Sequence, residues 1–366
     1  MGRKKVLISG YYGFDNSGDD AILRAIVNDL NENIGDIEII ALSKEPEYTK
    51  KVYNINAVDR FSFKAVRRAI KSCDLFISGG GSLLQDITST RSLLYYISLM
   101  RLAKFYGKKV MVYANGVGPI DGRMNRLWTR RILNKVDLIT LRDEDSRIFL
   151  EELKVKNENV YVTADPVFNL NPTNSEKVLE ILERESIPHN EPLIGVSLRD
   201  WKDSENLIEN MAKAIDYIVE KHNANIILIP MHYPEDLEIG NRVLKKVNNN
   251  STYILSNKYD VEDIMGVIKN LEIIIAMRLH SLIYAASQGT PMVGIVYDPK
   301  IEGFLKSINM DCMCPAEGIE YNDLIEKIDM VWNNRKKHKK DLEELDHYMK
   351  SEALKNTIMA RELLEK

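Results

Sequence analysis

Unbroken apolar runs alternate with amphipathic stretches from the first residues of this chain onward. Short β-branched segments recur as VLISG (6–10), IEIIALS (37–43), LFISG (75–79), VMVYANG (110–116), LITLR (138–142) and VYVTAD (160–165), each followed by a turn or helix signal. Strands buried on both faces read as continuous apolar runs because neither side meets water, and parallel strands need helical crossovers to join them. The first half is therefore expected to be a parallel, doubly wound sheet. Near Asn169 to Pro192, Pro and Asn interrupt a short polar helix, which reads as a linker. The rhythm then restarts with LIGVSLR (193–199), IILIPM (226–231), YILS (253–256), IIIAM (273–277) and MVGIV (292–296), and after about Asn322 the chain reads as helix. The expected boundaries are 1–170 for one Rossmann-like domain, 171–191 for the linker, 192–335 for a second such domain, and 336–366 for a C-terminal helix packing back on the first. Two such sheets facing each other would gather their strand ends around a cleft, where ligands of open α/β sheets bind.

Composition sharpens this picture in a few places. A length of 366 residues favours two cores over one. The formal charge of -4, from 50 basic and 54 acidic residues, creates no overall field that would select nucleic acid, so a charged partner must be met locally. Cys73, Cys312 and Cys314 are an odd number of thiols, which argues for a reducing compartment, and the Cys-Met-Cys pair has no second ligand pair with which to hold a metal. The start MGRKKVLISG reaches a glycine too soon for a signal peptide, and no later run approaches the ~18 apolar residues of a membrane span. A soluble, cytoplasmic protein is expected.

Candidate chemistry sits at the predicted strand ends. The first strand runs into YYGFDNSGDDAIL, whose spacing is not that of a dinucleotide fingerprint. Asp15, Asp19 and Asp20 would repel a pyrophosphate from the helix N-terminus but suit sugar hydroxyls, as acceptors or as a general base; alternatively Asp19 or Asp20 simply caps the helix. In SGGGSLLQD, Gly80 and Gly81 belong to a triplet that, placed before a helix, would form a nest for an anion or let a sugar lie on the main chain. NGVGP (115–119) is a similar Gly-rich turn, and a tight turn alone would explain either. Arg142 and Arg199 each end a strand, as ligand clamps or as partners of Asp143 and Asp200. In DGRMNRLWTRRILNK, Arg123, Arg126, Arg130 and Arg131 recur at helical spacing beside Trp128: a solvated basic face, or a surface for lipid headgroups or a diphosphate. The strongest signal is IIIAMRLHSLIYAASQGTPMVGIVYDPK, where a hydrophobic strand delivers Arg278 and His280 to its carboxyl end and a helix begins at Ser281. A guanidinium can grip a phosphate or carboxylate with two hydrogen bonds, and an imidazole can move a proton near neutral pH. Lys300, after the next strand, is a further phosphate partner.

Taken in order, YYGFDNSGDDAIL, GGGSLLQD, NGVGPI, LRDEDS, ADPVF and MRLHSLIYAASQGTPMVGIVYDPK make the chain resemble the polysaccharide pyruvyl transferase family over nearly its whole length, in particular its cell-wall, CsaB-type branch. The resemblance implies a GT-B-like fold and phosphoenolpyruvate as donor, with no cofactor and no metal. It places Arg142, Arg278, Leu279 and Lys300 at the donor and makes His280 catalytic. Asp15 and Asp19 are then the candidates for handling the acceptor hydroxyl, with Asn16, Gly80, Gly81 and Arg199 assigned to binding the acceptor. The implied acceptor is N-acetylmannosamine of a lipid-linked secondary cell-wall polymer precursor, ketalated in support of S-layer anchoring, with peripheral membrane contact through the Arg123–Arg131 helix. Two other readings stay open: a nucleotide-sugar glycosyltransferase of the same shape, with Glu302 as the ribose ligand, and a non-catalytic saccharide-binding protein.

Overall fold

A computed structural model describes residues 3–87 and 89–366, which form two compact units: Met1–Leu170 with Met349–Lys366, and Asn171–Tyr348. In the first, the chain runs β1 (Lys4–Tyr12), α1 (Ser17–Ile34), β2 (Ile37–Ser43), α2 (Pro46–Tyr53), β3 (Asn56–Asp59), α3 (Phe63–Ser72), β4 (Leu75–Ser78), β5 (Gly81–Leu84), α4 (Thr90–Phe105), β6 (Lys109–Val117), α5 (Arg123–Leu133), β7 (Leu138–Leu141), α6 (Glu144–Glu152) and β8 (Val160–Val162). Its parallel sheet has the order β3-β2-β1-β4-β6-β7-β8, with β5 pairing on β6. All four positions of β4 are buried, as its unbroken LFIS run requires of a central strand covered on both faces.

The second unit runs α7 (Ser175–Arg184), β9 (Leu193–Ser197), α8 (Ser204–His222), β10 (Asn225–Leu228), α9 (Glu235–Leu244), β11 (Thr252–Ile254), α10 (Val261–Lys269), β12 (Ile273–Ala276), α11 (Leu279–Ser287), β13 (Met292–Val296), α12 (Pro299–Ser307), β14 (Met313–Pro315) and α13 (Tyr321–Glu365). Its sheet order is β11-β10-β9-β12-β13-β14, again parallel. Ile194, Val196, Ile226, Ile275 and Val293 stand in one core with Met211 and Ile215 of α8. Removing each such side chain from water contributes about 1.5–3 kcal/mol.

Several elements depart from the apolar pattern. The stretch expected as a linker carries α7, whose Val178, Ile181 and Leu182 are buried; Gly266 on α10 admits it so closely that a Cβ there would lie 2.9 Å from Val178 Cγ2. The C-terminal helix begins at Tyr321, as the helical reading after about Asn322 expects, but it continues unbroken through 336, and the second unit ends within it at Tyr348. Buried polar contacts tie its last turns to the first unit: Tyr113 Oη meets Thr357 Oγ1 at 2.7 Å, and Asn356 Nδ2 donates to Ala164 O at 3.1 Å. Cys312 and Cys314 lie in the second core, where burial pushes the Cys314 thiol up to about 11. Among the described residues no helix is long and apolar enough to cross a membrane, and no group of three His, Cys, Asp or Glu side chains could hold a metal ion.

Candidate functional site

In the second sheet the strand order reverses between β9 and β12, and the main chain must diverge there, opening a crevice at the carboxyl ends of the two strands. Arg199 follows β9 by two residues; Arg278 follows β12 by the same interval and is the N-cap of α11. The buried Ser281 Oγ donates to Ser197 Oγ at 2.9 Å, fastening the first turn of α11 to β9. Arg278 is held by Asp236 in the first turn of α9, with Nε and Nη2 each 2.5 Å from a carboxylate oxygen. The Asp236 carboxylate is itself locked, since its Oδ2 also accepts the main-chain N–H groups of Met231 (3.1 Å) and His232 (2.9 Å). This leaves Nη1 of Arg278 with no hydrogen bond among the described residues, on a guanidinium whose plane is set.

Arg199 is built differently. Its guanidinium lies over the rings of Tyr297 (4.7 Å) and Trp201 (5.2 Å), its Nη1 donates to Tyr297 Oη at 2.9 Å, and its Nε is buried without an acceptor among the described residues. A buried donor left open is costly unless something supplies an acceptor there. His280 is the second residue of α11, half-buried, with its ring 6.4 Å from that of Tyr284; Leu279 precedes it at the helix start. Lys300 stands in the first turn of α12, where its main-chain N–H is received by Asp298 Oδ1 at 2.9 Å. Arg199 therefore belongs to the unit and rim that carry Arg278, not to the unit of Asn16, Gly80 and Gly81, with which it was grouped from sequence. Glu302, the proposed ribose ligand, makes an exposed ion pair with Lys306 along α12.

The first sheet has its own reversal, between β1 and β4. Tyr12 ends β1 fully buried, and its hydroxyl presses so closely on the glycine turns that a Cβ at Gly79 would lie 2.3 Å from Oη and one at Gly10 2.2 Å from Cζ. That hydroxyl has no hydrogen-bond partner among the described residues, and burial, with the charge of Asp19 adding to it, holds its pKa well above the ordinary tyrosine value. Asp19 also points toward Gly81, its Oδ1 3.4 Å from where a Cβ would stand. Asp15 is exposed on the preceding turn at φ 57°.

Other first-unit expectations are revised. Asn16, and neither Asp19 nor Asp20, caps α1: its Oδ1 accepts the Gly18 N–H at 3.1 Å and is thereby committed to the fold. Asp20 receives the Tyr53 hydroxyl at 3.1 Å. The glycine triplet does not open a helix. Gly79 N donates to Ser9 O, Gly81 begins β5 opposite Asn115, and α4 starts only at Thr90, so no anion-binding nest forms at a helix start. The NGV of NGVGP continues β6. Arg142 is a partner in a buried pair: Nη1 is 2.8 Å from Asp165 Oδ2, Nη2 is 3.1 Å from Ser82 Oγ, and the side chain is 5% exposed. Asp143, the neighbour suggested by sequence, is 3.7 Å away and instead caps α6.

A model of the polysaccharide pyruvyl transferase family matches residues 16–299, a span that takes in both strand-order reversals, Arg278 and His280. The chain belongs to that family. A relative of this pyruvyl transferase is the amylovoran biosynthesis protein AmsJ of Erwinia amylovora, 21% identical over 394 residues, covering 90% of this chain and 92% of AmsJ. Among solved structures, a glycosyltransferase from Rickettsia africae is similar over 100% of both chains (14% identity, TM-score 0.66). A UDP-GlcNAc 2-epimerase from Methanocaldococcus jannaschii is similar over 91% of this chain and 93% of its own (14% identity, TM-score 0.65). At such identities the likeness is one of fold, a GT-B-like arrangement of two doubly wound units. The pyruvyl transferase is thus a transferase of polysaccharide biosynthesis with a saccharide acceptor. Three residues that shape its second-unit rim escaped the sequence reading: Asp236, Trp201 and Tyr297. The signal for Asp236 was present in MHYPED, a carboxylate entering a helix across a short loop from a buried strand.

Proposed function

We propose that this pyruvyl transferase takes phosphoenolpyruvate as donor, bound in the second unit, and joins its three-carbon group to a saccharide as a cyclic 4,6-ketal with release of phosphate. The observation that carries this reading is the pair of guanidinium groups at the β9/β12 reversal, one with an open Nη1 and the other with a buried Nε lacking an acceptor. A donor bearing both a carboxylate and a phosphate supplies acceptors to two such groups at once. Lys300 and the N-terminus of α11 add positive charge of the same sign.

The chemistry needs an acid, a base and this anion clamp. His280 delivers a proton to the donor's methylene carbon, leaving C2 electron-poor. A sugar hydroxyl adds to C2 and gives up its proton, the C2–O bond to phosphate breaks, and a second hydroxyl of the same sugar closes the ring while its proton passes to the departing phosphate. In the first unit Asp19, beside Tyr12 and Gly81, is the carboxylate we assign to a saccharide hydroxyl in preference to the exposed Asp15. By resemblance to the CsaB-type branch, the acceptor is N-acetylmannosamine of a lipid-linked secondary cell-wall polymer precursor, made at the cytoplasmic membrane face for S-layer anchoring.

The test is incubation of the purified chain with phosphoenolpyruvate and a short lipid-diphosphate disaccharide, followed by mass spectrometry and a phosphate assay. The expected product carries one ketal-linked pyruvate per phosphate released, and His280→Ala abolishes it without lowering the melting temperature. Consumption of a nucleotide sugar with no phosphate from phosphoenolpyruvate would establish the glycosyltransferase reading instead.

A further inference from the structure

Two neighbouring helices of the first unit, α4 and α5, leave between them a groove of about 460 Å³. Buried Ile97 and Ile132 and half-buried Leu94 line its base, and Trp128 lines its edge at 37% exposure. Ser98, Arg101, Arg131 and Lys135 complete the lining, and among the described residues no acidic side chain takes part in it. Of the other cations of these helices, Lys104 is paired with Asp137 at 2.7 Å and Arg126 lies 3.9 Å from Glu152, whereas Arg91, Arg123 and Arg130 make no ion pair among the described residues and do not line the groove. Arg101, Arg131 and Lys135 make no ion pair among the described residues.

The apolar part of this face extends past the groove. Phe105 stands one helical turn beyond Arg101 and is 79% exposed; Met124 stands one turn before Trp128 and is 52% exposed. Side chains three or four apart share a helix face, so two outward stripes emerge, Leu94-Ser98-Arg101-Phe105 on α4 and Met124-Trp128-Arg131 on α5, with Lys135 in the turn just beyond the end of α5. Large apolar groups beside unpaired cations match a bilayer surface: aromatic and aliphatic stems enter the acyl boundary while the charges stay among the headgroups. A nucleic acid or an acidic protein would be met by the cations but would leave Phe105 and Met124 without an apolar partner.

We propose that the α4–α5 face docks this protein on a membrane rich in anionic phospholipid, with Trp128 seated at the headgroup level. The expected charge contribution is about fivefold in partition per basic side chain near an anionic surface, so on the order of a hundredfold for three.

The experiment uses the full chain and sedimented vesicles, of phosphatidylcholine alone or with phosphatidylglycerol, and needs no turnover. Its result is therefore separate from the fate of the pyruvyl-transfer reading. Binding is expected only with the anionic lipid and is expected to fall with added salt. The triple variant Arg101→Ser, Arg131→Ser, Lys135→Ser should lose about a hundredfold, whereas Lys336→Ser, Lys337→Ser, Lys339→Ser on α13 should bind as the parent does. Lipids brominated on the acyl chains should quench tryptophan emission in the parent chain and fail to do so in Trp128→Phe. No binding to anionic vesicles, equal loss in both triple variants, or quenching that survives in Trp128→Phe would each overturn the proposal.

Discussion

Replacing Asp236 by Asn tests whether one carboxylate holds the donor clamp in shape. The side chain is 2% exposed and receives four hydrogen bonds, from Met231 N, His232 N, and Nε and Nη2 of Arg278. Three of these converge on Oδ2, so an Asn would keep its oxygen there and turn its NH2 group toward Nη2, setting donor against donor. One charge-assisted bond is then lost and the neutralising charge removed. Breaking a fully buried pair costs about 3–5 kcal/mol, and Arg278 keeps some access to solvent, which places the loss near 3 kcal/mol. Urea unfolding should report that loss directly. In steady-state assays the released guanidinium should weaken donor binding in the ground and transition states alike, so KM for phosphoenolpyruvate should rise by about tenfold or more while kcat changes less. Stability within about 0.5 kcal/mol of the parent, together with an unchanged KM, would refute the idea that Asp236 orients Arg278.

Three further outcomes follow from the geometry. Burial pushes the Asp29 carboxyl up to about 6, above its unfolded value, so its stabilising contribution is complete below about pH 4 and is lost as pH rises through 6. Asp29→Asn, which can still accept from Asn169, should remove about 1.4 kcal/mol of the stability difference between pH 5 and pH 8 in urea titrations. Gly79→Ala should cost about 2–3 kcal/mol because its Cβ would meet Tyr12 Oη at 2.3 Å; Tyr12→Phe, which deletes a hydroxyl with no hydrogen-bond partner, should recover most of that in the double variant. Arg199→Lys should raise KM for phosphoenolpyruvate by about tenfold without changing the fold, since an ammonium cannot reproduce the planar stack over Tyr297 and Trp201; circular dichroism and initial rates would check it.

The strands were legible wherever burial on both faces left an unbroken apolar run, as in β4, β9, β12 and β13. Three strands escaped notice because they lack that signature: β3 is half polar, β14 is Met-Cys-Pro with no β-branched residue, and β5 begins in the glycine triplet that reads as a turn. The helix after β12 was legible too, but it starts at Leu279 and not at Ser281, so Arg278 is its N-cap and His280 its second residue rather than both ending the strand.

Sequence alone determined the class of the fold, the rough positions of its elements and the ordered motifs of its family, because apolar periodicity, caps and turn residues act over a few neighbouring positions. Tertiary structure decided which side chains meet. Arg278 is joined to a carboxylate 42 positions away and Arg142 to one 23 positions away, while Arg199 stacks on a ring 98 positions away. Those distances are set by which strands lie side by side in each sheet, and strand order is a property of long-range burial that no local run of residues encodes.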